Sequence, residues 1–147
     1  MFVYEEIRSK EAIMRPEDAY IIVIEDNADN LLVATDMLRM IGVKYINSRA
    51  SGLQGIKLAE SMPQVDLILL DIQLPYEDGY AVLQKIRAHP KLAQTKVIAV
   101  TANVLPQDEQ KARESGFDGF IGKPLDFERF PQQIVAILAG ETVWRAR

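Results

Sequence analysis

The sequence predicts a doubly wound α/β domain built on a five-stranded parallel sheet. Three observations carry that reading. Strand-like apolar runs alternate with helical patterns five times between Tyr20 and Gly140, the order expected of right-handed crossovers between parallel strands. The central run, Leu67-Ile68-Leu69-Leu70, is apolar at every position, as a strand buried on both faces must be. Four of the five runs end in polar side chains, Glu25-Asp26, Asp71, Thr101 and Lys123. Such groups are costly inside a protein unless they reach a mouth, a metal or a partner.

The elements follow in chain order. Residues 1–19 form an N-terminal extension in which Phe2, Val3 and Ile7 make a short apolar stripe and Pro16-Glu17-Asp18 breaks any helix. Tyr20-Ile21-Ile22-Val23-Ile24 is the first strand, and Asn27 caps a helix with Leu31, Leu38 and Ile41 on one face and Gly42 at its end. Residues 43–47 are a second strand. Ser51 opens a helix whose apolar residues are Leu53, Ile56 and Leu58; Gly52 and Gly55 weaken it and Pro63 ends it. Residues 65–71 are the central strand, and residues 79–88 a third helix with Leu83 and Ile86 inward, stopped at His89-Pro90. Residues 96–101 make the fourth strand, 106–115 a helix capped by Gly116, and 117–122 the fifth strand. A tight turn over 127–130 then places Pro131 at the first position of a helix running to Ala139, where its missing N–H costs nothing. Residues 20–140 are thus one domain, and 141–147 a tail.

Composition narrows the function. A chain of 147 residues with 48% apolar content is long enough for one substantial core. Its net charge of −4 offers no basic surface for a run of phosphates, which argues against nucleic acid. No cysteine is present, which excludes disulfides, thiol catalysis and cysteine metal sites. No apolar run is long enough to span a bilayer, and no signal-peptide pattern opens the chain, so a cytoplasmic domain is expected.

In a parallel sheet of this kind the strand ends are neighbours and form the ligand site. Glu25, Asp26 and Asp71 crowding one mouth would repel unless positive charge is supplied. Lys123 supplies one charge; a divalent cation with oxygen ligands, Mg²⁺ rather than zinc, supplies the rest. A carboxylate beside such a cation, a lysine and the Thr101 hydroxyl can attack phosphorus and hold an aspartyl phosphate, and Ala102 is small enough to leave the group room.

The motifs Val23-Ile24-Glu25-Asp26-Asn27, Leu69-Leu70-Asp71 with Leu74-Pro75 and Asp78-Gly79, Val100-Thr101-Ala102-Asn103, and Phe120-Ile121-Gly122-Lys123-Pro124 occur in order along the chain. Together they resemble the response-regulator receiver domain of two-component signalling. The resemblance implies a flavodoxin-like (βα)5 three-layer sandwich with strand order 2-1-3-4-5, and the short stretch after Gly140 leads to the expectation of no output domain. It implies Asp71 as phosphoacceptor for a histidine kinase or histidine phosphotransfer protein. Asp26 and Asp71 would ligate Mg²⁺ (or Mn²⁺) directly, Glu25 through water and Gln73 by its backbone carbonyl. Thr101 and Lys123 would bind phosphoryl oxygens, with Ala102, Asn103 and Pro124 as neighbours of the pocket. The bond before Pro124 is commonly cis in such domains. Phe120 takes the place of a switch aromatic that swings inward when Thr101 moves, and Gln73 and Asn103 stand where phosphoryl lifetime is tuned. Departures are Glu25 for the more frequent aspartate, Phe120 for tyrosine, and Leu74 and Tyr76-Glu77 in the loop after Asp71.

Each residue also has a plainer reading. Alone, Glu25-Asp26 is a helix-start acidic pair, Thr101 a strand-end cap and Phe120 core. His89 reads as a solvated helix end, and Tyr80 and Trp144 as partner contacts or simple surface aromatics. The leading function is a phosphorylation-dependent switch, not an enzyme beyond its own phosphorylation and dephosphorylation. It would signal to a downstream protein target through the fourth helix, fifth strand and fifth helix, without nucleic acid or membrane, and with room for a phosphorylation-dependent homodimer. Competing readings are a receiver module of a hybrid histidine kinase, a degenerate receiver acting as a constitutive binding module, and a haloacid-dehalogenase-type phosphatase. The last needs a second acid where this chain has Gln73.

Overall fold

The computed structural model describes residues 13–144. Five strands, β1 (Tyr20–Ile24), β2 (Tyr45–Arg49), β3 (Leu67–Asp71), β4 (Lys96–Thr101) and β5 (Gly119–Gly122), form one parallel sheet in the order β2-β1-β3-β4-β5. Five helices connect and follow them: α1 (Ala28–Met40), α2 (Gly52–Ser61), α3 (Gly79–Ala88), α4 (Pro106–Ser115) and α5 (Arg129–Leu138). This is the flavodoxin-like α/β sandwich expected from the sequence.

Successive strand residues point to opposite faces, so each central strand feeds two cores. Ile22, Ile24, Ile68, Leu70, Val97, Ala99 and Phe120 pack with Ala59, Leu83, Ile86 and Ala112 from α2, α3 and α4. Ile21, Val23, Leu67, Leu69, Ile98, Val100 and Ile121 pack with Met37, Leu38, Ile134 and Ile137 from α1 and α5. All five residues of β3, Asp71 included, are buried.

Two strands begin later than the sequence suggests, for one reason. Gly42 and Gly116 adopt left-handed φ values of 98° and 104°, and the apolar residue after each closes the helix instead of opening the strand. Val43 N donates to Leu38 O and Phe117 N to Ala112 O, the six-to-one bond of a Schellman cap. Val43 and Phe117 are therefore buried helix-end residues, and the strands start two residues later, at Tyr45 and Gly119. The central strand also starts late, at Leu67, because Asp66 is spent at its mouth: its N donates to Tyr20 O and its Oδ2 accepts from Tyr20 N.

Helix α2 also differs. Leu53 is exposed, and the buried face is Gly52, Gly55 and Ala59. A Cβ at Gly52 would lie 2.5 Å from Val82 Cγ2, and one at Gly55 2.7 Å from Ile24 Cδ1. The glycines thus permit close approach to α3 and β1. In α5 the expected tight turn is helical from Arg129, so Pro131 is the third residue of the helix, not the first. Any of the first four helical N–H groups lacks an intrahelical partner, so proline is tolerated there too. Asp126 Oδ1 accepts from the N of Glu128 and of Arg129 and serves as the cap.

Pro16–Asp18 form a 3-10 turn rather than only a break, because proline suits a first helical position. Met14 N donates to Leu138 O at 2.9 Å and Ala19 is fully buried. The stripe of Phe2, Val3 and Ile7 lies outside the described residues. No helix among the described residues is long and apolar enough to cross a membrane.

Candidate phosphoryl and metal site

Pairing in register brings the ends of β1, β3 and β4 together: Ile24 lies opposite Leu70, and Asp71 opposite Val100. Glu25 follows β1, Asp71 ends β3, Thr101 ends β4, and Lys123 follows β5. Glu25 and Asp71 are buried and Asp26 is exposed. The three carboxylates each place an oxygen within 4.8 Å of the others. With no histidine or cysteine in the group, this donor set suits a hard divalent cation.

Lys123 stands between the two buried acids, its Nζ 2.5 Å from Glu25 Oε1 and 3.0 Å from Asp71 Oδ2. The other Asp71 oxygen, Oδ1, accepts from Gln73 N at 2.8 Å, and Glu25 Oε2 accepts from Asn27 N at 3.3 Å. Burial raises the Glu25 carboxyl above the usual range, helped by Asp71 and opposed by Lys123. Burial pulls the Lys123 ammonium down, but its bonds and proximity to Glu25 and Asp71 outweigh this and leave it raised. The site is therefore short of positive charge once Glu25 is ionised, the condition that favours a cation.

Thr101 is fully buried, and its Oγ1 accepts from Asn103 N at 3.0 Å. Among the described residues the hydroxyl accepts but does not donate. Ala102 is exposed beside it, and its N donates to Gln73 Oε1 at 3.3 Å. The sequence placed Gln73 as a backbone-carbonyl ligand and at a position that tunes phosphoryl lifetime, but not as a bridge to Ala102; a side chain spanning from the β3 loop to the β4 loop leaves no periodic signal. The peptide between Lys123 and Pro124 is cis. Phe120 is fully buried on β5, opposite Ala99 of β4.

Two further features were not legible. Glu77 Oε1 accepts from Gly52 N, tying the loop after Asp71 to the start of α2. A largely apolar cavity of about 210 Å³ adjoins the acids, lined by Val33, Leu69, Leu125, Phe127 and Phe130 among others. Of the aromatics read as surface candidates, Tyr80 packs edge-on to Phe117 at 5.8 Å and Trp144 lies under the Arg113 guanidinium at 4.3 Å. His89 caps the C-terminus of α3, with Nε2 3.8 Å from Glu60 Oε2.

The profile of the response regulator receiver domain matches residues 21–135. The polar-differentiation response regulator DivK of Brucella ovis is 37% identical over 119 residues, covering 80% of this chain and 94% of that protein. Hybrid signal transduction histidine kinase D of Dictyostelium discoideum is 32% identical over 124 residues, 80% of this chain, which spans only 8% of that kinase. Among solved structures, the receiver domain of a Pseudomonas aeruginosa sensor histidine kinase, with magnesium coordinated in its active-site cleft, aligns with TM-score 0.72 at 32% identity. It covers 84% of this chain and 98% of that one. The Mn²⁺-bound form of the response regulator Rcp1, at 22% identity and TM-score 0.65, covers 83% of this chain and 90% of its own and shares the fold.

Proposed function

The chain belongs to the response regulator receiver domain family of two-component signalling, and from that premise we propose that Asp71 is the carboxylate that accepts the phosphoryl group. The observation that carries the reading is the setting of Asp71. It is buried at a strand end, with one oxygen on Gln73 N and the other on the Lys123 ammonium, within reach of two more acids. A carboxylate held in place but still at the mouth is positioned to act as a nucleophile.

The donor would be a phosphohistidine on a histidine kinase or phosphotransfer protein. An Asp71 oxygen forms the new bond to phosphorus, the phosphorus–nitrogen bond breaks, and the imidazole leaves with the electron pair and picks up a proton. Glu25, Asp26 and Asp71 would hold Mg²⁺ or Mn²⁺, with the Gln73 carbonyl as a further ligand. When bound, the cation neutralises phosphoryl oxygens and the repulsion among the acids. Lys123 supplies a positive charge to the same oxygens, and Thr101, whose oxygen already accepts from Asn103 N, has its proton free for one of them. The added charge of about −1.5 to −2 then biases Thr101, Phe120 and the two neighbouring strands, β4 and β5, that carry them. Output would pass to a downstream protein through α4, β5 and α5, with no catalysis beyond transfer onto and off Asp71. A kinase charged from ATP would place this work in the cytoplasm.

The kinase similarity favours a second reading of context only: the same site could serve as a receiver module of a hybrid kinase. Incubating the full chain with Mg²⁺ and acetyl phosphate should add one base-labile phosphoryl group by intact mass, and Asp71→Asn should abolish it. An absent adduct, or one that survives Asp71→Asn, would overturn the assignment.

A further inference from the structure

The outer edge of β5 is not open. After α5 the chain reverses at Gly140, whose φ is 95°, and Glu141 N donates to Ala136 O at 2.9 Å. Val143 then forms a parallel bridge to Gly119, and Phe120 N donates to Val143 O at 2.8 Å. The approach is tight: a Cβ on Gly119 would lie 2.8 Å from Val143 O. Trp144 completes the seat, its ring 4.3 Å from the Arg113 guanidinium of α4 and packed against the cluster that contains Phe117 and Phe120.

We propose that residues 141–144 are a strap that latches β5 in the unphosphorylated arrangement and is released when Asp71 is phosphorylated. The inference rests on the phosphoacceptor reading above and adds a regulatory element to it. The physical link is short. Thr101 pairs with Gly122, Ala99 with Phe120, and Lys123 N donates to Thr101 O. A phosphoryl group that draws on the Thr101 hydroxyl and the Lys123 ammonium therefore pulls at both β4 and β5. Phe120 is held on its other side by Val143, so β5 cannot shift without stretching that bond or carrying the strap along. Within this arrangement the strap is the part that yields. It has four residues, of which Glu141 and Thr142 are exposed and Val143 and Trp144 only partly buried against the two cores, one bridge to the sheet, and a stack on a half-exposed arginine. Local opening is expected where buried contacts are few. Coupling of two states is reciprocal, so weakening the strap must favour the phosphorylated arrangement by the factor with which phosphorylation weakens the strap.

The test is amide hydrogen exchange followed by NMR on the full chain, with and without Mg²⁺ and acetyl phosphate, intact mass being recorded in parallel. Phosphorylation should speed exchange at the Phe120 amide about fivefold or more, the low end of typical allosteric coupling, while the Leu69 amide in β3 stays protected. In the same chain, Trp144→Ala should tighten binding of beryllofluoride with Mg²⁺ by a similar factor, and Arg113→Ala should act in the same direction. A phosphorylated chain whose Phe120 amide is unchanged, or a Trp144→Ala chain with unchanged beryllofluoride affinity, would overturn the strap and leave the phosphoacceptor standing. No adduct at all would overturn both.

Discussion

β2 and β5 are the two outer strands of one sheet, yet β2 is half-exposed along its length while all four residues of β5 are buried. β2 carries Asn47, Ser48 and Arg49, and its Tyr45 ring stacks on Tyr20 of β1 at 4.3 Å. Polar and charged side chains deter a second strand from pairing there. β5 reads Gly-Phe-Ile-Gly, with no charge to offer, and is instead covered by residues 141–144. An edge can thus be protected by what it is made of or by what lies over it. Only the second kind of protection can be removed and restored, which suits the edge next to Thr101 and Lys123.

Substitutions can break this contrast, the largest effect first. Phe120→Ala should cost about 3–5 kcal/mol of unfolding free energy, whereas Tyr45→Ala, at a position 42% exposed, should cost about 1 kcal/mol, largely the ring stack. Urea denaturation of both variants measures the difference; equal losses would mean that the two edges are equally embedded. Gly119→Ala should cost about 1–3 kcal/mol, since its Cβ meets Val143 O and Ile98 Cδ1, both at 2.8 Å. Ser48→Ala on the open edge should stay within about 0.5 kcal/mol of the parent.

The smallest effect concerns pH, and it arises between the edges. The folded state holds the Glu25 proton more tightly than the unfolded chain does. Stability should therefore fall as pH rises from the ordinary carboxyl value of 4.5 through the raised folded value. Lys123 acts in a separate window: its raised value stabilises the fold below 10.5, a contribution lost only as pH climbs through the folded value. Glu25→Gln should flatten the acid-side slope, and saturating Mg²⁺ should offset the loss. Urea midpoints taken across this range that do not depend on Glu25 would show that its burial is without consequence.

The core and the acids were readable because both leave strong marks: unbroken apolar runs, and charged residues where such runs stop. Asp71 and Lys123 could be placed together from sheet topology alone. What escaped was made by backbone geometry. Glycine caps recruit the next residue into the helix end, so Val43 and Phe117 looked like strand. The same motif at Gly140, with Glu141 N on Ala136 O, turns the following residues toward β5, and nothing in Thr142-Val143-Trp144 announces a bridge. In α2 the leucine at position 53 outranked the glycines by hydrophobicity, although closeness of packing, not side-chain size, decides that face.

The bond from Met14 N to Leu138 O sets where the described chain enters the fold beside where it leaves the last helix. The order in which the five strands are strung together is thus not dictated by the position of the ends. A circular permutant that joins these ends and opens at Pro63-Gln64, exposed residues just before β3, would keep every strand neighbour and every acid at the mouth. Attachment to other domains could then be moved around the molecule without rebuilding its chemistry.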